Sequence, residues 1–185
     1  MLGVTDRLKI LSISYFSRPA HNRPVYQAIR SRQVRSILEL GVGTGQRAKC
    51  MIEVARSASR SAEIRYTGID LFEDRTAMDG PGLTLKMAHC LLAFTGARVR
   101  LIPGDPLTAM ARTANSLGAT DLVVVSARHQ RESLARAWFY LPRVLGPKAQ
   151  LFLEEPQPAG RVLLRRIPAA EIDSLAAAAR IRRAA

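Results

Sequence analysis

The stretch Ser36-Ile37-Leu38-Glu39-Leu40-Gly41-Val42-Gly43-Thr44-Gly45 decides the fold. Its first five residues read as a short strand with one acid among apolar neighbours, and three glycines then end it. A helix is predicted from about Gln46 to Ser57, with Ala48, Met51, Ile52 and Ala55 on one face at helical spacing. Glycines suit the bend between them because the backbone must turn sharply and admit a ligand with no Cβ in the way. The helix that follows points free amide N–H groups and a positive dipole end at whatever occupies the crevice.

Short β-branched runs alternate with helical patterns in the rest of the chain, the signature of a parallel sheet with crossover helices. Ile64 to Ile69 reads as a second strand finishing at Asp70, and Leu71 to Gly82 as a loop rich in Asp, Gly and Pro. Leu83, Met87, Leu91 and Leu92 mark a helix stopped by Gly96. Val99 to Ile102 is the third strand, closed by Pro103-Gly104-Asp105-Pro106, and a helix runs from Leu107 to Leu117. Leu122 to Val125 is a fourth strand apolar enough to be buried on both faces. Glu132 to Leu145 is helical, bent or shortened by Pro142. Gln150 to Leu153 is the fifth strand, Pro156 to Gly160 a turn, and Arg161 to Leu164 an antiparallel edge strand before a helix opened by Pro168. The expected architecture is α/β, a doubly wound and mostly parallel sheet over residues 34–185. Residues 1–33 form an amino-terminal helical and loop extension in which Pro24 opens a short helix.

A glycine-rich turn alone does not identify the ligand. The dinucleotide fingerprint wants Gly or Ala three places after its second glycine, and that place is Gln46. The GxGxG spacing behind an acid resembles motif I of class I S-adenosylmethionine-dependent methyltransferases. The resemblance covers roughly residues 35–155 and implies a Rossmann-like methyltransferase fold with a shortened carboxyl-terminal edge. It implies S-adenosylmethionine as cofactor, with Glu39, Gly41, Gly43 and Gly45 against its methionine part. Asp70 would accept from the ribose hydroxyls through charge-assisted bonds. Asp105 would accept from the adenine amino group, with Leu71 or Phe72 and Leu107 flanking the ring. Asp105 before Pro106 is also a good helix cap. The reading requires an open crevice at the glycine bend with Asp70 facing it.

The activity implied is methyl transfer to an acceptor the sequence does not name, most simply a small molecule. The alternative is a methyltransferase-like protein that binds the cofactor without catalysis. A general base is needed only for a protonated acceptor such as a hydroxyl. His129, in Ser126-Ala127-Arg128-His129 after the fourth strand, is the candidate, and Ser126 could orient the substrate or the methionine end. No Asn-Pro-Pro motif is present, which disfavours adenine-type or glutamine-type N-methylation. His21, in Arg18 to Pro24, belongs to a segment able to fold over the cofactor. His89 and Cys90 are expected to pack in their helix, and Trp138-Phe139-Tyr140 to bury two rings.

Composition bounds the rest. Apolar residues make up 48% of 185 and charged residues 23%, which is globular. Two cysteines forty positions apart make no CxxC pair, pointing to a reduced, cytoplasmic protein. No carboxylate pair or histidine cluster has metal spacing, so no metal is expected. No apolar run nears the roughly 18–20 residues a bilayer needs, and no membrane association is expected. A net charge of +13 raises nucleic acid as a partner, weakly, because the arginines are scattered along the whole chain. Nothing in the sequence fixes an oligomeric state.

Overall fold

The computed structural model describes residues 4–59, 63–126 and 131–184. In chain order the elements are α1 (Val4–Phe16), α2 (Arg23–Arg32), β1 (Ser36–Leu40), α3 (Gln46–Ala58), β2 (Arg65–Asp70), α4 (Leu85–Ala93) and β3 (Arg98–Pro103). They continue as α5 (Pro106–Leu117), β4 (Thr120–Val125), α6 (Arg131–Ala137), α7 (Leu141–Val144), β5 (Leu145–Pro156), β6 (Val162–Ile167) and α8 (Ala169–Ala184). One six-stranded sheet has the order β3-β2-β1-β4-β5-β6, with β6 antiparallel to β5 and every other pair parallel. This is the doubly wound α/β fold expected, and after β5 the chain adds one turn, one edge strand and one helix.

Alternation along β1 assigns its side chains to two layers. Ile37 packs with α2 and α3 through Val25, Ile29, Ala48, Met51 and Ile52. Leu38 and Leu40 pack on the other face with Ala109, Met110 and Ala114 of α5 and Leu141 of α7. β4 divides in the same way, Leu122 and Val124 to one layer, Val123 and Val125 to the other. Coverage on both sides is why its sequence reads as an unbroken apolar run.

Three elements depart from the sequence reading. The helix expected over 132–145 is broken into α6, a tight turn at Trp138–Tyr140, and α7. Pro142 lacks an N–H and its ring opposes the carbonyl four residues back, so one helix cannot run through. The break buries Trp138 and Tyr140, and Phe139 packs edge-on against Tyr140 at 5.1 Å between centroids. β5 is longer than 150–153 because its first half pairs with β4 across a register shift, Thr120 opposite Leu145 and Leu122 opposite Gln150. His89 and Cys90, expected to pack, are exposed, because α4 turns Ala88 and Leu92 inward.

Gly41, Gly43 and Gly45 all take positive φ, at 97°, 57° and 72°. A Cβ on Gly45 would also stand 2.6 Å from Leu91 Cδ2 and 3.1 Å from Leu83 Cδ1. Gly45→Ala is therefore expected to lower the unfolding free energy by about 2–3 kcal/mol, left-handed strain adding to overpacking. Gly160→Ala, at φ 69° with open space around it, should lose only the backbone part, about 1–2 kcal/mol. Urea denaturation of both variants measures the difference, and equal losses would show that the leucine contact costs nothing.

Candidate functional site

The sheet ladder continues past the strand ends and gathers the site at one edge. Gly41 N donates to Ile69 O at 2.8 Å, Ser126 N to Leu40 O at 2.8 Å, and Gly104 N to Asp70 O at 2.9 Å. These bonds hold the residues after β1, β3 and β4 level with the end of β2. β1 lies between β2 and β4, so the strand order reverses here, and ligands of doubly wound sheets bind in that crevice.

Asp70 faces the glycine bend. Its Oδ2 accepts from Gly43 N at 2.7 Å, and its Oδ1 accepts from Leu71 N at 2.6 Å and from Arg75 Nη2. Arg75 belongs to a strap, residues 71–84, that lies over the bend and is pinned by Leu83 N donating to Gly43 O at 3.1 Å. Arg75 Nη1 donates to Asp79 O at 2.8 Å, while its buried Nε makes no hydrogen bond among the described residues. The cavity bounded by Gly41, Gly43, Asp70, Leu71, Arg75, Asp79 and Ser126 is about 20 Å³. A void of about 10–15 Å³ admits a single water, so this one has room for one or two. The open crevice that the sequence reading requires is therefore not what the structure holds: Arg75 packs it nearly shut, although Asp70 does face the bend.

A second network runs beneath the bend. Glu39 is wholly buried on the α3 side of β1. Arg47, in the first turn of α3, donates Nε to Glu39 Oε1 at 2.6 Å, Nη2 to Gly41 O at 3.3 Å, and Nη1 to Glu154 Oε1 on β5. Tyr66 of β2 donates its hydroxyl to Glu39 Oε2. Burial pushes the Glu39 carboxyl up from its ordinary range, and Arg47 and Tyr66 pull it back. Burial pulls Arg47 down, but the two glutamates outweigh it and keep the guanidinium charged. The other oxygen of Glu154, Oε2, accepts from Ser126 Oγ at 2.7 Å, which joins this network to the crevice. His21, in the turn Ala20–Asn22 between α1 and α2, brings Nε2 to 3.6 Å from Glu154 Oε1.

The expected site residues fall into separate places. Gly41, Gly43, Asp70, Leu71 and Ser126 meet around the crevice. Gly45 stands behind it as the residue that starts α3. Glu39 lies under the bend, both of its oxygens taken by Arg47 and Tyr66. Asp105 caps α5, its Oδ1 accepting from Leu107 N at 3.0 Å and Thr108 N at 3.2 Å. His129 lies outside the described residues. Arg47, Tyr66, Arg75, Glu154 and His21 were not singled out as site residues by the sequence, apart from the segment carrying His21. The signal for Arg47 was present: an acid inside an apolar strand needs a buried partner.

No family model and no curated protein sequence matches the chain. Solved structures do match it. The O-methyltransferase TomG from Streptomyces achromogenes, involved in tomaymycin synthesis and in complex with SAM, aligns over 100% of this chain and 80% of its own. Its TM-score is 0.55 at 14% identity. Cofactor-bound Rv0187 from MTB aligns over 97% of this chain and 76% of its own, with TM-score 0.57 at 19% identity. The O-methyltransferase from Bacillus cereus in complex with SAH covers 86% and 70%, with TM-score 0.56 at 14% identity. The fold is that of the class I S-adenosylmethionine-dependent methyltransferases, with the sheet order 3-2-1-4-5-6 and an antiparallel sixth strand. Among the described residues no helix is long and apolar enough to cross a membrane.

Removing Arg47 would leave two carboxylates facing each other in the core. Arg47→Met is expected to cost about 3–5 kcal/mol of stability, the penalty for a buried charge stripped of its partner. Adding Glu39→Gln to that variant should recover part of the loss. Chemical denaturation of both measures it, and an equal loss in single and double variants would mean that Glu39 does not depend on Arg47.

Proposed function

We propose that this protein binds S-adenosylmethionine in the crevice above β1 and β2 and transfers its methyl group to a small molecule. The observation that carries the reading is the 2.7 Å bond from Gly43 N to Asp70 Oδ2. It sets a bare backbone bend beside a carboxylate at the point where the strand order reverses, and a sulfonium nucleoside needs both. The residue types fit the cofactor, though the space does not yet: a Cβ on Gly43 would touch only Pro81 O, at 3.9 Å, so what stands over the bare bend is the strap that carries Pro81 and Arg75. Asp70 also has acceptor capacity beyond its backbone bonds, now taken by Arg75.

In this reading Gly41 and Gly43 lie against the methionine part, Gly45 shapes the bend from behind, and Asp70 takes the ribose hydroxyls. Leu71 or Phe72 and Leu107 flank the adenine, whose amino group reaches Asp105. Ser126 marks the methionine end, and Glu39 contributes by anchoring Arg47 under the bend. The bound cofactor supplies an electrophilic methyl group, and the protein's part is chiefly to hold an acceptor in line with it.

Ligand pockets for molecules of this size measure about 300–1,000 Å³. The strap must therefore lift and Arg75 must leave Asp70 before the cofactor enters. Isothermal titration should give micromolar dissociation constants for S-adenosylmethionine and S-adenosylhomocysteine, with no binding of NAD or ATP. Asp70→Asn is expected to weaken binding at least tenfold, about 1.4 kcal/mol. Arg75→Ala should tighten it about tenfold by removing the competing cation. Weaker binding in Arg75→Ala would mean that the arginine holds the ligand, and binding of NAD or ATP instead would end the reading. Binding without transfer to any acceptor is the alternative favoured by the closed crevice, a protein that retains the cofactor and does no chemistry.

A further inference from the structure

We infer that the cavity between α5 and α6 binds a small organic acid, its carboxylate met by Arg112 and Arg136 and its apolar body by Leu107, Ala111 and Tyr140. This is a second site, and it stands whether or not the crevice takes a sulfonium nucleoside. The cavity measures about 370 Å³ and is lined by those five residues and Thr108. Pockets that hold small molecules run from about 300 to 1,000 Å³, so this one needs no opening before a ligand enters. It shares no lining residue with the crevice around Asp70.

The broken helix after β4 shapes the space. α5 turns Ala109, Met110 and Ala114 into the core, which leaves Thr108, Ala111 and Arg112 exposed on its outer side. It packs against both α6 and the turn Trp138–Tyr140, and Ala111 puts only a methyl group into the gap beside them. The Tyr140 wall is fixed. Its ring is buried, Phe139 packs edge-on against it at 5.1 Å, and the Arg143 guanidinium lies 5.8 Å from its centroid.

The charged part of the lining is cationic. Arg136 is exposed, and its guanidinium makes no hydrogen bond or ion pair among the described residues. Arg112 has one long bond, from Nη2 to Pro103 O at 3.4 Å, and no carboxylate partner among the described residues. No acid lines the cavity. Arg47, Arg75 and Arg165, by contrast, each hold a carboxylate. Two guanidiniums at one cavity repel each other, and an anion beside both removes that repulsion. The planar fork of a guanidinium matches the two oxygens of a carboxylate. A cation is excluded by the same charges, a neutral apolar molecule leaves the arginines unmet, and an inorganic anion leaves the apolar walls wet.

Leu107 is the one residue that this site shares with the proposed adenine contacts, and Asp105, which caps that turn of α5, is not part of the lining. The acid and the nucleoside are therefore expected to bind together.

Phenylacetate is the probe. Phenylacetamide keeps its ring without the charge, and inorganic phosphate keeps a charge without the ring. Binding to the full chain is followed by NMR titration at low salt. Phenylacetate is expected to bind with a dissociation constant of about a millimolar, as suits a ligand of about ten heavy atoms. Both controls should bind at least about tenfold more weakly, because each loses one half of the recognition. Arg112→Ala and Arg136→Ala should each weaken phenylacetate at least about fivefold. Arg32→Ala, which removes an exposed arginine in the last turn of α2, should leave it within about twofold of wild type. Ala111→Trp keeps both arginines and fills the cavity. Since Ala111 is exposed, the larger ring needs no repacking of the core, and phenylacetate should bind at least about tenfold more weakly.

Wild-type affinity in Ala111→Trp, or equal losses in Arg32→Ala and Arg136→Ala, would place the probe elsewhere and overturn the inference. Phenylacetamide or phosphate bound as tightly as phenylacetate overturns the class of ligand. Displacement of phenylacetate by S-adenosylhomocysteine would make the cavity part of the cofactor site and overturns a second one. Phenylacetate bound in the expected pattern by a protein that does not bind S-adenosylhomocysteine supports this site while the cofactor reading falls.

Discussion

Glu39 has no contact with solvent, yet it sits near the carboxyl end of β1, one of the sheet's two central strands. Taking such a carboxylate out of water costs several kcal/mol unless a cation and hydrogen bonds meet it in good geometry. Arg47 and Tyr66 meet it from α3 and β2, and much of the site is arranged around that meeting. The same guanidinium reaches the Gly41 carbonyl and Glu154, so one side chain joins β1, the glycine bend, α3 and β5. A shift of α3 along its axis would break all three contacts together. That coupling keeps the start of α3 and the bend in fixed register with the strand ends.

The bend can then be bare. With Arg47 holding it from beneath, its upper side needs no side chains, and three glycines take positive φ without strain. The amide of Gly43 is left pointing at Asp70 rather than into an intrahelical bond. Asp70 gathers two backbone donors and one arginine, so the rigid part of its environment is backbone and the replaceable part is Arg75. The strap that carries Arg75 also holds Phe72 at φ 49°, an unusual conformation for an aromatic residue, kept by burial against Val42 and Ala88.

Features set by local chemistry were legible in the sequence. The glycine bend, the helical face of α3, the apolar run of β4 and the Asp-Pro cap of α5 each declare themselves within a few residues. Asp70 could be located because a strand that ends in an acid at the carboxyl edge has few places to point. What could not be read depends on register between distant segments. Glu154 follows an apolar run much as Asp70 does, but that it meets Arg47 requires knowing that β5 lies beyond β4. His21 comes from a turn more than a hundred residues away from Glu154, and no periodicity carries that information. His89 and Cys90 failed in a different way: α4 has apolar residues on more than one side, and only the tertiary structure decides which side is covered. Arg75 was hidden because a loop rich in Asp, Gly and Pro gives no pattern from which its path can be traced.

The two carboxylates at the crevice are built alike but differ in how firmly their cations are held. Asp70 is shared by backbone N–H groups and Arg75, and Glu154 by the Ser126 hydroxyl, Arg47 and His21. Arg47 rises from a helix, is paired with two carboxylates and a carbonyl, and cannot leave without stranding buried charge. Arg75 rises from a strap between the short turns Phe72–Asp74 and Ala77–Asp79, and among the described residues it has one carboxylate partner and a buried Nε with no acceptor. Displacing Arg75 costs less, and hydroxyl donors from a ligand can replace its bond to Asp70. The nucleoside end of the crevice is therefore the end that adapts, while the β5 end, where Glu154 orients its neighbours, is set before any ligand arrives. A displacement reaction gains most from that division, because it is at the end where atoms change partners that a small error in position costs the most rate.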